Sequence, residues 1–432
     1  MPAREFDPHI SIDPISHAKD GDYCIKEIEI EHIRRKIETP FKVLAGNGIN
    51  LEDAGPVAGM VSQPFLEYQK FISDIRSWNS LYHLLNEAGP ERVHGLDSFF
   101  NIKKSMWSSS LTTVSLVFPR NPFKEFSVGS GETRKTFPGL DENSYICLLD
   151  YVHSASKAFV LSPDVRLEKR DDINTTQYLS FVDQSIKILM DRNNRPIFAP
   201  LHIELSKKNI EAILSHYKTR GYTNIWINFD AKSCHGTYSS RLKTIIHLID
   251  RILGSSNVTL YFSHIKKEIL PNIQEDKAAA SDILTQFYGA DFIGTDREPW
   301  RRPLGDWNND DALRERASKH NFATKEDYLE AQVLHKHRIF DPDSYYYRNL
   351  DHYPQTLPVS VSTLKKDNAI NQFLNSTIMH LEVERTKKTI SETGSVKKYL
   401  DTKAAVQENP DIMDNIIVPP KQPDLMDFLG NL

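Results

Sequence analysis

Cysteine is almost missing from this chain: Cys24, Cys147 and Cys234 are the only three in 432 residues. An odd number so widely spaced excludes a disulfide framework and a clustered zinc site, and fits a reducing compartment. Positive charge is not in excess either, since 53 Lys+Arg against 58 Asp+Glu leave a net charge of -5. Any nucleic-acid site must therefore be a local basic patch rather than a global field. No window approaches the roughly 18 apolar residues needed to span a bilayer. The opening MPAREFDPHI carries acidic residues and no apolar signal-peptide core. The expectation is a soluble cytoplasmic protein without a membrane partner. Finally, no apolar run is followed by a GxGxxG turn, which counts against a doubly wound dinucleotide fold.

What is present is a core-forming composition, 39% hydrophobic and 10% aromatic, enough for one large domain or two medium ones. From about residue 157 short apolar runs alternate with amphipathic stretches. The runs are AFVLSPD (158–164), PIFAPLHIE (196–204), NIWINFD (224–230), VTLYFSH (258–264) and ADFIGTD (290–296). Each is near-continuously apolar, as a strand buried on both faces should be. Between them Ile210, Ile213, Leu214 and Tyr217 recur at helical spacing behind a capping Ser206, and Leu242, Ile245, Ile246 and Ile249 repeat the pattern. With FKVLAGNGI (41–49) and TTVSLVF (112–118) the count reaches seven strands. The expected fold is α/β, a TIM (β/α)8 barrel with one strand unplaced. Residues 1–21 read as an N-terminal extension, 50–110 as a helical insertion, 22–390 as the barrel including that insertion, and 391–420 as a Pro-rich acidic linker before a flexible tail.

In parallel α/β folds chemistry gathers at the carboxyl ends of the strands. Those positions hold Asp164, His202 with Glu204, Asn228 with Asp230, His264, and Asp296. Carboxylates around a mouth can divide into nucleophile and general acid or base, although a single strand-end Asp more often caps the next helix. His202, Glu204, Asp230 and His264 are also of metal-ligand type, so a metal-dependent barrel hydrolase is a second alternative, without HxH or HExxH spacing to support it.

The stretches RRKIETPFKVLAGNGIN (34–50), YLSFVDQSIKILMDRNNRPIFAPLHIE (178–204) and SDILTQFYGADFIGTDREP (281–299) resemble the tRNA-guanine transglycosylases, in order and spacing more than in identity. The resemblance implies a TIM barrel and base exchange, in which a carboxylate attacks C1′ of a nucleotide, guanine leaves and a 7-deazaguanine replaces it. It makes Asp97, in HGLDSFFN, the general base and Asp164 the group that reads the purine edge. The family's nucleophile position falls on Gly294, so Asp296, two residues on, is the candidate nucleophile. No cysteine stands where the family's structural zinc site would fall, near 344–362. That zinc is expected to be absent, with packing by Tyr345, Tyr346, Tyr347 and Tyr353 in its place, and no other cofactor is expected. Homodimerisation, as in the family, is left open.

Arg297, Arg301 and Arg302 follow the last strand beside Trp300, a pairing of charge and stacking face that suits a flipped nucleotide. The tail KQPDLMDFLGNL (421–432) places Gln422, Leu425, Phe428 and Leu429 in a pattern that resembles the peptide docking on ring-shaped DNA sliding clamps. Leu425 and Phe428, three apart, share one face of a helical turn. Together these imply DNA rather than tRNA as the nucleic acid, an archaeal-type cell and nucleoid association. Two functions compete: a transglycosylase-like enzyme acting on a guanine-type base, or a catalytically silent, clamp-tethered binding subunit.

Overall fold

The computed structural model describes residues 9–72, 74–103, 110–128, 134–166, 174–192, 194–269, 272–297 and 310–417. Strands β1 (Ile10–His17), β2 (Cys24–Ile30) and β3 (Arg35–Thr39) form an antiparallel sheet in that order. β4 (Phe41–Lys42) and β5 (Leu44–Ala45) follow, and then helix α1 (Leu51–Ala58). β6 (Phe65–Phe71) precedes α2 (Ile75–Asn86) and α3 (Gly89–Phe100). β7 (Leu111–Phe118) leads through a hairpin, β8 (Phe126–Val128) and β9 (Lys135–Phe137), to α4 (Glu142–Ala155). Next come β10 (Val160–Leu161), β11 (Asp164–Val165), α5 (Thr175–Met190), β12 (Ile197–His202), α6 (Lys207–Arg220), β13 (Asn224–Lys232), α7 (Thr237–Leu253) and β14 (Thr259–Ile265). β15 (Lys277–Ala279), a 3-10 turn over Asp282–Tyr288 and β16 (Phe292–Ile293) complete this part.

Six of these strands make one curled, half-barrel parallel sheet in the order β10-β12-β13-β14-β16-β4, and four make a second parallel sheet, β11-β7-β6-β5. The chain steps directly from one sheet to the other, with no helix between, at Val43 and at Ser162 and Pro163. One expectation is corrected here: residues 65–71, read as the start of a long helix, are strand β6, paired along its whole length with β7. Phe65, Glu67, Gln69 and Phe71 alternate at a period of two. Apolar Leu66, Tyr68 and Ile72 on the other face blur that alternation into something helical.

The strands bury both faces. Their outward residues pack on the helices, while the inward set forms a second cluster of Phe65, Phe159, Phe198, Trp226, Tyr261 and Phe292 with Ile28, Ile30 and Ile37 of the N-terminal sheet. That sheet is pinned where strands begin: Lys26 Nζ lies 2.9 Å from Asp291 Oδ1 and donates to the Val258 carbonyl, and His32 bonds the Lys157 carbonyl. The amino ends of the strands are therefore sealed, and the carboxyl ends remain for a site. The capping expected of Ser206 is present, its Oγ accepting from the Asn209 N–H.

Beyond β16 lie α8 (Asp310–Lys319), α9 (Lys325–Lys336), β17 (Ile339–Asp341), β18 (Tyr346–Arg348), α10 (Val361–Lys366) and the 26-residue α11 (Asn368–Thr393). β15, β18 and β17 form an antiparallel sheet. Tyr345, Tyr346 and Tyr347 are buried around it, and Tyr353 packs half-buried nearby. The segment expected to be a linker from 391 is instead folded as far as Ile417: α12 (Val396–Leu400), α13 (Ala404–Glu408) and α14 (Pro410–Ile417) bury Val396, Leu400, Val406, Ile412 and Ile416. Its apolar residues are spread over very short helices, which leaves no long period to read. No helix among the described residues is long and apolar enough to cross a membrane.

Candidate functional site at the carboxyl ends of the strands

Four side chains from four strands form a buried line. Asn228 Nδ2 donates to Asp164 Oδ2 at 2.7 Å, and Asn228 Oδ1 accepts the Asp230 N–H at 3.0 Å and faces His264 Nδ1 at 2.9 Å. Because Asn228 Oδ1 is an acceptor, His264 carries its proton on Nδ1. Nε2 then accepts from Ser115 Oγ, 2.9 Å away. Burial drives His264 well below its usual pKa, so the neutral form belongs to this line. Asp164 is also fully buried, and burial raises its pKa even though Asn228, the Val165 N–H and the Tyr178 hydroxyl all donate to it.

Glu67, on the strand missing from the sequence reading, sits beside this line. Its Oε1 is 3.6 Å from His264 Nε2, and its Oε2 accepts from Tyr261 OH at 2.8 Å and the Thr295 N–H at 2.6 Å. Burial raises its pKa too. Glu67 also explains Gly294: a Cβ there would lie 2.3 Å from Glu67 Oε2 and 2.6 Å from Ser263 Cβ. A carboxylate side chain cannot occupy the position to which the resemblance assigns the nucleophile.

Asp230 is the charged centre of the mouth. Arg166 Nε donates to its Oδ2 at 3.1 Å, Arg297 Nη1 bonds its Oδ1, and His202 Nε2 is 3.9 Å away. Burial alone would raise its pKa. The His202 imidazole and the two guanidinium groups outweigh that and hold the carboxyl well below the usual range. Burial lowers Arg297 to about 10, against the pull of Asp230, and its guanidinium packs 3.3 Å over the Phe71 ring. Asp230, Ala231 and His264 all have positive φ, at 42°, 62° and 60°. Such backbone costs on the order of 1–3 kcal/mol per residue and concentrates at functional sites.

His202, Glu204 and Asp230 bring one ligand atom each within 4.8 Å of one another; His264 faces Ser115 and Asn228 instead. The donor set does not fit a cation. His202 Nδ1 accepts the Glu204 N–H, which leaves the proton on the Nε2 that would have to ligate. Lys232 lies 3.5 Å from Glu204, Tyr238 donates to Glu204, and two arginines already hold Asp230. Lys232, Arg166 and Arg297 thus already neutralise the two carboxylates a divalent ion would need.

Asp296 is half-buried at the end of the last parallel strand, bridged to Ile265, with its carbonyl accepting from Gln69 Nε2. Among the described residues its carboxylate has no hydrogen bond or ion pair. Asp97 lies on α3, where its Oδ1 accepts from Tyr151 of α4 at 2.9 Å, tying two covering helices together. Arg301, Arg302, Gln422, Leu425, Phe428 and Leu429 lie outside the described residues. No protein-family model matches the chain, and no curated protein matches it.

Sequence reasoning missed Glu67, Ser115 and Arg166. The period-two alternation of 65–71 would have exposed Glu67, and Arg166 stands two residues past Asp164. Ser115 lies mid-run, with no signal to mark it.

Proposed function

We propose that the two parallel sheets are one closed eight-stranded barrel and that its mouth exchanges or removes a guanine-type base in nucleic acid. The observation that carries this reading is the Asp296 carboxylate, half-buried at a strand end and without a hydrogen-bond partner among the described residues. An oxygen of Asp296 attacks C1′, the C1′–N9 bond breaks, and its electron pair leaves with the base, which takes up a proton. An incoming base then attacks C1′ through N9, loses its proton and displaces the carboxylate. Glu67 and Asp164, raised by burial, are suited to hold the proton. The buried line from Ser115 to Asp164 offers hydrogen-bonding groups for a base edge.

A second reading, a silent binding subunit, is favoured by Gly294, which closes the position where the resemblance expects the nucleophile. The deciding experiment supplies radiolabelled guanine with duplex DNA, single-stranded DNA or tRNA, and compares wild type with Asp296→Asn. Incorporation into one nucleic acid, reduced on the order of 10³-fold or more by the substitution, is expected. No incorporation into any of them and no base released from the same nucleic acids, with nucleic acid still bound, would favour the silent reading. DNA is the favoured substrate because of the tail. Loss of sliding-clamp affinity in Phe428→Ala is expected, and unchanged affinity would remove that argument.

A further inference from the structure

We propose that a cavity beside Asp230 binds a phosphate group carried by a nucleotide. It measures about 330 Å³ and is walled by Arg166, Lys232, Lys266 and Arg297, with Ser233 and Tyr238. Its charge decides what it accepts. Asp230 occupies the two arginines and Glu204 faces Lys232, whereas Lys266 has no ion-pair partner among the described residues. Four cations thus face two carboxylates, an excess suited to an anion.

Two further features point the same way. Helix α7 begins at this wall with Gly236 as its N-cap and no side chain capping it, and its second residue, Tyr238, lines the cavity, which places the positive end of a 17-residue helix beside it. The backbone that carries the cations is also fixed before any ligand arrives. The Lys266 N–H donates to the Lys232 carbonyl at 2.9 Å, the Arg297 N–H donates to the Ile265 carbonyl at 2.8 Å, and the left-handed Asp230 and Ala231 re-aim the end of β13. Preorganised donors need little reorganisation to bind a phosphate.

The Asp230 N–H bonds Asn228, which leads to Asp164 and His264. A phosphate seated here would present its sugar and base to that line. This last step rests on the base-exchange reading; the phosphate site does not.

The test is fluorescence anisotropy of the full chain with a labelled single strand of about twelve nucleotides, and competition by guanosine monophosphate, guanosine and inorganic phosphate. Wild type is compared with the double variant Lys232→Ala/Lys266→Ala. Both lysines are half-exposed, and thermal unfolding verifies that the variant is folded. The expected result is an affinity about tenfold weaker at low salt and a salt-dependence slope smaller by about two, with guanosine monophosphate competing better than guanosine. Direct binding of guanosine monophosphate by calorimetry without strand binding, lost in the variant, would support the site and name a free nucleotide as the carrier. Unchanged binding and slope in the folded variant, or no binding of either ligand by wild type, would overturn the proposal. Absence of guanine exchange with the slope change intact would remove the base-exchange reading alone.

Discussion

The two ends of the parallel strands are built from the same inward-facing rows and do opposite things. At the amino ends Phe159 sits 4.5 Å from Phe198, 5.2 Å from Phe292 and 5.1 Å from Phe65, ring centre to ring centre, under a lid of isoleucines from the N-terminal sheet. A few residues further along the same strands, the inward positions hold Glu67, Ser115, His202, Asn228 and Asp230. Aromatic packing there gains from burial without polar atoms to satisfy. At the carboxyl ends each buried polar group needs a partner, and His202 Nε2 and Glu67 Oε1 lack a hydrogen bond among the described residues. The amino ends supply stability, and the carboxyl ends hold groups that stability alone would not choose.

Three substitutions test that division. Phe159→Ala removes a ring from the sealed end and should cost about 3–5 kcal/mol in urea denaturation. A loss below about 1 kcal/mol would mean that the aromatic cluster is not the stabilising end. Gly294→Ala drives a methyl group onto Glu67 and Ser263 and should cost about 1–3 kcal/mol by the same measurement. A neutral result would show that Glu67 is free to move and that the position could accept a side chain.

The third substitution concerns Asp282, close to the mouth, and its effect depends on pH. Burial, with Asp296 adding to it and Lys42, Tyr347 and Lys267 opposing, pushes its carboxyl up to about 7 from 3.8. A carboxyl raised on folding adds stability that is complete below the unfolded value and fades as pH rises through the folded one. Wild type should therefore lose stability against Asp282→Asn between pH 3.8 and about 7, by at most about 1.4 kcal/mol per pH unit. Parallel melting-temperature profiles for the two proteins would contradict this.

Continuous apolar runs and helical spacing were enough to read β7, β12, β13, β14 and the helices over Ile210 and Leu242, because buried parallel strands need no polar alternation. β6 escaped for the opposite reason: Glu67, Gln69 and Lys70 interrupt its apolar residues, and the mixture reads as helical. The same holds for the folded segment after Thr393, whose burial depends on neighbours far away in sequence, as when Ser395 and the Val396 N–H bond Asp20.

The residue types at the strand ends were set by the sequence itself, since strand direction alone assigns Asp164, His202, Asn228, Asp230 and His264 to one end. Which of them touch was decided only in three dimensions. Asp230 meets Arg166 and Arg297, 64 and 67 positions away, and Glu67 meets Tyr261 across 194 positions. Strand direction is local, written in the order of run and helix, whereas partner, protonation and cavity charge depend on which strand ends become neighbours when the sheet curls.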